Sequence, residues 1–156
     1  MKRMLNNPFT SLEGYQCFGC APDNPYGLKM QFVELPDGVM ATWQPESHFE
    51  GWKNVLHGGI QATLMDEIAS WLVFVKLHTS GVTSKMEVKL KKPVHINAGK
   101  ITLKASLRAM QKNVAIIDTS ITDSNATECA TGVMHYFTYP EEVAREKLWF
   151  PGRDKF

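Results

Sequence analysis

The stretch GGIQATLMDEIASWLVFVKL, residues 58–77, limits the folds open to this chain more than any other segment. Ile60, Leu64, Ile68, Trp71, Leu72 and Val75 recur at helical spacing, and Ala62, Ala69, Val73 and Phe74 make much of the remaining circumference apolar. A helix of that kind is enclosed by the rest of the molecule. The C-terminal half of the chain is suited to enclosing it: strands are predicted over 82–92, 99–110, 113–123 and 127–139, separated by short polar turns. The clearest alternates Ile101, Leu103, Ala105, Leu107 and Ala109 with Thr102, Lys104, Ser106 and Arg108, so that one face is buried. At ~1.5 Å per residue the helix is about 30 Å long, and a ten-residue strand at ~3.3 Å per residue has the same reach. A twisted antiparallel sheet can therefore wrap one central helix along its whole length.

Before the helix, Leu28, Met30 and Phe32 and then, after the turn LPDG, Val39, Ala41 and Trp43 alternate as a hairpin. The order is β-β-α-β-β-β-β, an α+β fold. Residues 1–27, rich in Asn, Pro and Gly, read as an irregular lead-in, residues 28–139 as the single domain, and residues 140–156 as a tail with a short amphipathic turn and a polar end. With 156 residues, 44% of them hydrophobic, the chain buries one core. Its formal net charge of +1 gives no polyanion-binding surface, so no nucleic-acid partner is expected. The N-terminus lacks the apolar run of a secretory signal and WLVFV is too short to cross a bilayer, so a soluble, cytoplasmic protein with no membrane partner is expected.

Cys17 and Cys20 form a CxxC in CFGC. A structural zinc site needs about two further ligands at matching spacing, and the neighbouring sequence offers no second pair; Cys129 lies in a predicted strand. The pair does not follow a strand and open a helix as a redox dithiol would. A compact turn, without metal, is the expectation.

LHGGIQATLMDE, with GVTSKMEVKLKKPV after it, resembles the hotdog-fold acyl-CoA thioesterases of the PaaI-like type, and CFGCAPDNPYGLKMQF is similar to a lead-in of one branch of that family. The resemblance implies a hotdog fold, and a homodimer or a homotetramer built as a dimer of dimers, with active sites between paired subunits. It implies hydrolysis of an acyl-CoA thioester with no cofactor, CoA being part of the substrate. Gly58 would supply the backbone N–H that polarises the carbonyl, Asp66 the catalytic carboxylate, and Thr83 the hydroxyl that holds the water or the acid. His57, Gly59 and Glu67 would border the substrate, and Asn54 is the nearest match to an amide that some relatives place before HGG, at a different offset.

Physical chemistry gives each residue a functional and a structural reading. Glycine costs about 1 kcal/mol in helix propensity relative to alanine, so two at a helix start call for a reason. Bare amides there, aided by the helix dipole, can bind an oxyanion; a tight loop-to-helix corner explains them equally. A carboxylate on an apolar helix is desolvated unless paired or facing a cleft, so Asp66 is either a general base or a hydrogen-bonded core acid. Glu67, ~100° further round, is a second candidate base or a subunit-pairing acid. Thr83 also suits a strand simply as a β-branched residue. Lys85, Lys89 and Lys91, with Lys92 beside them, are a solvated strand face or, in an acyl-CoA enzyme, phosphate ligands. Trp52, Trp71 and Phe74 either line an acyl pocket or belong to the core.

Gly58 and Asp66 stand about 12 Å apart along one helix, yet both must come within roughly 3 Å of one reacting centre. Two helices antiparallel across a twofold axis satisfy both, and the acids then face the partner's helix start. Two alternatives accompany this reading. One is a non-catalytic acyl-CoA-binding module. The other is a hydratase or dehydratase using His48, weakened because Ala62 stands where its helical Glu would fall.

Overall fold

A computed structural model describes residues 1–156. Seven strands form one antiparallel sheet: β1 (Arg3–Met4), β2 (Val33–Leu35), β3 (Gly38–Trp43), β4 (Gly81–Leu90), β5 (Ile101–Gln111), β6 (Val114–Thr122) and β7 (Glu128–Thr138). Their order across the sheet is β1-β2-β3-β5-β6-β7-β4, so β4 is an outer strand. The long helix α1 (Gly58–Lys76) lies against β3 to β7, and a short helix α2 (Glu141–Lys147) comes after the last strand. No helix is long and apolar enough to cross a membrane.

α1 begins where His57, its N-cap, accepts the Gly59 N–H at Nδ1, 2.9 Å away. It ends at Leu77, after which His78 adopts a positive φ of 57°. Leu64, Met65, Ile68, Trp71, Leu72, Val73 and Val75 are buried, as the apolar circumference predicts. Facing them, the inner side of the sheet carries Leu103 paired with Ile121, and Ile117 paired with Met134. Trp71 stacks on Phe32 with ring centroids 4.3 Å apart and is core.

Two expectations are corrected. The predicted hairpin begins late: Leu28, Met30 and Phe32 are buried in alternation, but only Val33–Leu35 pairs with β3. The N–H groups of Leu28 and Met30 are donated instead to the carbonyls of Phe18 and Gly19, because the lead-in competes for them. The tail is no polar end. Phe150 and Phe156 are buried, and Phe156 packs on Phe9, Trp71 and Phe74, which makes Phe74 part of this aromatic cluster. Polar groups fasten the cluster from outside: Arg153 donates to the Val75 carbonyl near the end of α1, and Arg3, Lys76 and Arg153 all pair with Glu34. Burial acts to raise the Glu34 pKa, but the hydrogen bonds from Lys76, Arg153 and Arg3 prevail and hold it at about 2.

Candidate functional site

Asp66 leaves α1 toward the outer strand. Its Oδ1 accepts from Thr83 Oγ1 at 2.8 Å and from the Tyr136 hydroxyl at 2.5 Å; that hydroxyl is also 2.7 Å from the Asp66 carbonyl. Oδ2 has no partner within the chain. A register shift in β4 between Thr83 and Lys85 makes this possible. Thr83 is opposite Tyr136 and turned toward the helix, whereas Lys85 is opposite His135 and pairs with Glu87 in solvent. Burial and the adjoining Asp66 push the Tyr136 phenol well above its ordinary range, so it remains a donor. Tyr136 is not among the residues expected from sequence. An aromatic at an inward position of an alternating strand looks like core, and the only clue is that a buried phenol needs a partner.

At the start of α1, Gly58 lines a cleft of about 650 Å³ with Trp52, His57, Gln61, Leu90 and Lys92. The Gly59 N–H is taken by His57, while the Gly58 N–H makes no hydrogen bond within the chain. Trp52 is 84% exposed on the rim. Gln61 is buried, donates to the Leu56 carbonyl, and keeps its Oε1 without a partner, a second polar group that sequence pattern does not single out.

Several expected residues are not brought here. Asn54, at a positive φ of 61°, exchanges hydrogen bonds with Asn97 and is fixed in a loop clasp. Lys89 and Lys91 do not form one row, because β4 ends at Leu90. Lys89 lies with Glu87, Lys104 and Arg108 around a polar hollow on the sheet, whereas Lys91 does line the cleft at Gly58, with its ammonium bound to Glu128 at 2.6 Å. Lys92, at the cleft, has no carboxylate partner. Glu67 does not face the same way as Asp66. It turns to the lead-in, where Cys17 Sγ is 3.5 Å from its Oε1. Burial raises the Glu67 pKa to about 8, and Cys17 adds to the shift. The third donor missing near the CxxC in sequence is therefore present in space.

A family model described as the thioesterase superfamily matches residues 53–130. The chain belongs to the thioesterase superfamily, and its architecture is that of the hotdog fold. Similar solved structures include a thioesterase superfamily protein (TM-score 0.68, 18% identity), with the match covering 74% of this chain and 57% of that one. A hypothetical thioesterase from Streptococcus pneumoniae with coenzyme A gives a TM-score of 0.62 at 21% identity, over 67% of this chain and 83% of that one. A Streptococcus mutans protein bound to acetyl CoA gives 0.67 at 17% identity, over 84% and 98%. Comparison of the sequence with curated proteins finds no match.

Proposed function

We propose that the protein hydrolyses an acyl-CoA to the free acid and CoA, in a homodimer whose two sites each combine Gly58 of one protomer with Asp66 and Thr83 of the other. The observation that carries this reading is the posture of Asp66: one carboxylate oxygen is gripped by Thr83 and Tyr136 while the other is free. Two donors on Oδ1 fix the carboxylate in place, and Oδ2 is left to take a proton from water. The hydroxide formed attacks the thioester carbonyl, the oxyanion is held by the Gly58 N–H, and the carbon–sulfur bond breaks with CoA leaving as the thiolate. A module that only binds acyl-CoA has no use for a carboxylate held in this way.

The dimer is argued from the outer strand. β4 has an unpaired backbone edge, with Val82, Met86 and Leu90 44–53% exposed. Thr83 of β4 is beside Asp66, and Leu90 is beside Gly58. If β4 pairs antiparallel with its own copy about an axis near Met86 and Glu87, Leu90 of one chain lies opposite Thr83 of the other. The same operation sets the Gly58 amide against the other protomer's Asp66. The CoA-bound fold relatives support an acyl-CoA substrate, and Lys92, which lines the cleft with Gly58, would meet its phosphates.

The test is release of free CoA from a panel of acyl-CoAs by the wild type and by Asp66→Ala. Hydrolysis lost in the variant with acyl-CoA binding retained supports the enzyme. Binding without turnover in the wild type refutes it in favour of a binding module.

A further inference from the structure

About 100° round α1 from Asp66, three metal-ligating side chains from two distant segments converge. Cys17 Sγ and Cys20 Sγ are 3.5 Å apart, Cys17 Sγ is 3.5 Å from Glu67 Oε1, and the donor atoms of all three residues lie within 4.8 Å of one another. A tetrahedral ion with metal–sulfur bonds of about 2.3 Å and metal–oxygen bonds of about 2.0 Å spaces its ligand atoms roughly 3.5–3.8 Å apart. The two short separations already match the edges of such a tetrahedron.

The surroundings are built for this convergence. The turn is closed by Ala21 N–H on the Cys17 carbonyl, and Asn7 donates to the Cys20 carbonyl. The Tyr15 hydroxyl, 2.9 Å from Cys20 Sγ, stands where an outer hydrogen bond orients a ligand. Gly19 is the independent sign. A Cβ there would lie 2.4–2.5 Å from the Glu67 side chain, so the acid reaches the thiols only because that residue has no side chain. The cluster opens on a cavity of about 290 Å³ that Phe9, Leu12 and Phe74 also line, which leaves room for a water or another fourth ligand.

We propose that Cys17, Cys20 and Glu67 bind a divalent cation of the zinc class, with water in the fourth position, and that the ion clamps the N-terminal segment to α1. Binding displaces the protons of the ligands and involves no electron transfer. The site stands apart from hydrolysis, so its test does not depend on turnover.

The full-length protein, reduced and stripped with chelator, is titrated anaerobically with Co2+ and then with Zn2+. The expected result is saturation at one Co2+ per chain, with a thiolate-to-cobalt charge-transfer band and the intense visible bands of a tetrahedral ion, both removed by Zn2+. Zn2+ also shields two of the three thiols from a thiol reagent. Cys17→Ser and Cys20→Ser abolish the charge-transfer band at an unchanged circular dichroism spectrum, and Glu67→Gln weakens Zn2+ binding at least about tenfold. The proposal is overturned if the wild type gives no such band, if stoichiometric Zn2+ leaves all three thiols reactive, or if Glu67→Gln binds Zn2+ as tightly as the wild type. A protein that takes up no metal but cycles between a Cys17–Cys20 dithiol and disulfide overturns it equally.

Discussion

Asp66 and Glu67 are neighbours in sequence and carry the same carboxyl group, yet they belong to different parts of the molecule. Asp66 points to the outer strand, where Thr83 and Tyr136 hold one of its oxygens and leave the other open. Glu67, about 100° further round α1, points to the lead-in and meets Cys17. The helix phase alone separates the two environments. One side of α1 is arranged around an incomplete edge that a second chain can finish. The other is sealed by the chain's own first and last residues, with Phe9, Phe74 and Phe156 packed together and Glu34 tying Arg3, Lys76 and Arg153. One side is left with an open strand edge, the other is closed over by the chain itself.

The largest expected effect separates the sides directly. Asp66→Asn lowers kcat on the best acyl-CoA about 10³-fold, whereas Cys17→Ser changes it less than about twofold; equal losses in the two variants would erase the distinction. Next comes Gly58→Pro. Proline is well tolerated at the first position of a helix and lacks the N–H, and His57 already has the extended backbone that precedes proline. Hydrolysis is expected to fall about 10²-fold, with a small drop in melting temperature, since a side chain at 58 must displace the Leu90 methyl that a Cβ there would meet at 2.8 Å. Mixing Gly58→Pro with Asp66→Asn subunits then restores about a quarter of wild-type activity, since half of the dimers are mixed and each has one intact site. No recovery after subunit exchange would show that the two groups do not meet across an interface.

On the sealed side, Glu34→Gln is expected to reduce unfolding free energy at neutral pH by roughly 2–3 kcal/mol, measured by urea denaturation. The Glu34 pKa is depressed, to about 2 from 4.5, so its contribution is complete above about pH 4.5 and is lost as pH falls toward 2. The variant should lack that acid-dependent loss; a parallel pH profile would show that Glu34 is not the responsible group. The smallest effect is Tyr136→Phe, which leaves Asp66 held by Thr83 alone and should lower kcat about tenfold with KM little changed.

The elements that depend on local pattern were legible in the sequence, and those that depend on distant partners were not. The helix starts at Gly58 as predicted and ends a residue early, and the four later strands agree within a residue or two, because each buries one continuous stripe. Leu28–Phe32 carries a strand's alternation but gives its N–H groups to the lead-in, which alternation cannot reveal. Asp66 and Thr83 are found together as the motif implies, whereas Tyr136 is hidden by its resemblance to core. Lys89 and Lys91 are evenly spaced in sequence, but the strand ends between them. Glu67 reads from the sequence as bordering the substrate, as a second base or as a subunit-pairing acid; its partner Cys17 lies 50 positions upstream in the lead-in, which helix periodicity does not reveal.

The shift at Thr83 and Lys85 has one more effect. A strand kinked there cannot template an arbitrary extended peptide along its whole length, because straight backbones fall out of step at the kink. An edge so marked discriminates among suitors: a long row of open amides and carbonyls can stay bare in a newly made chain without seeding ribbons.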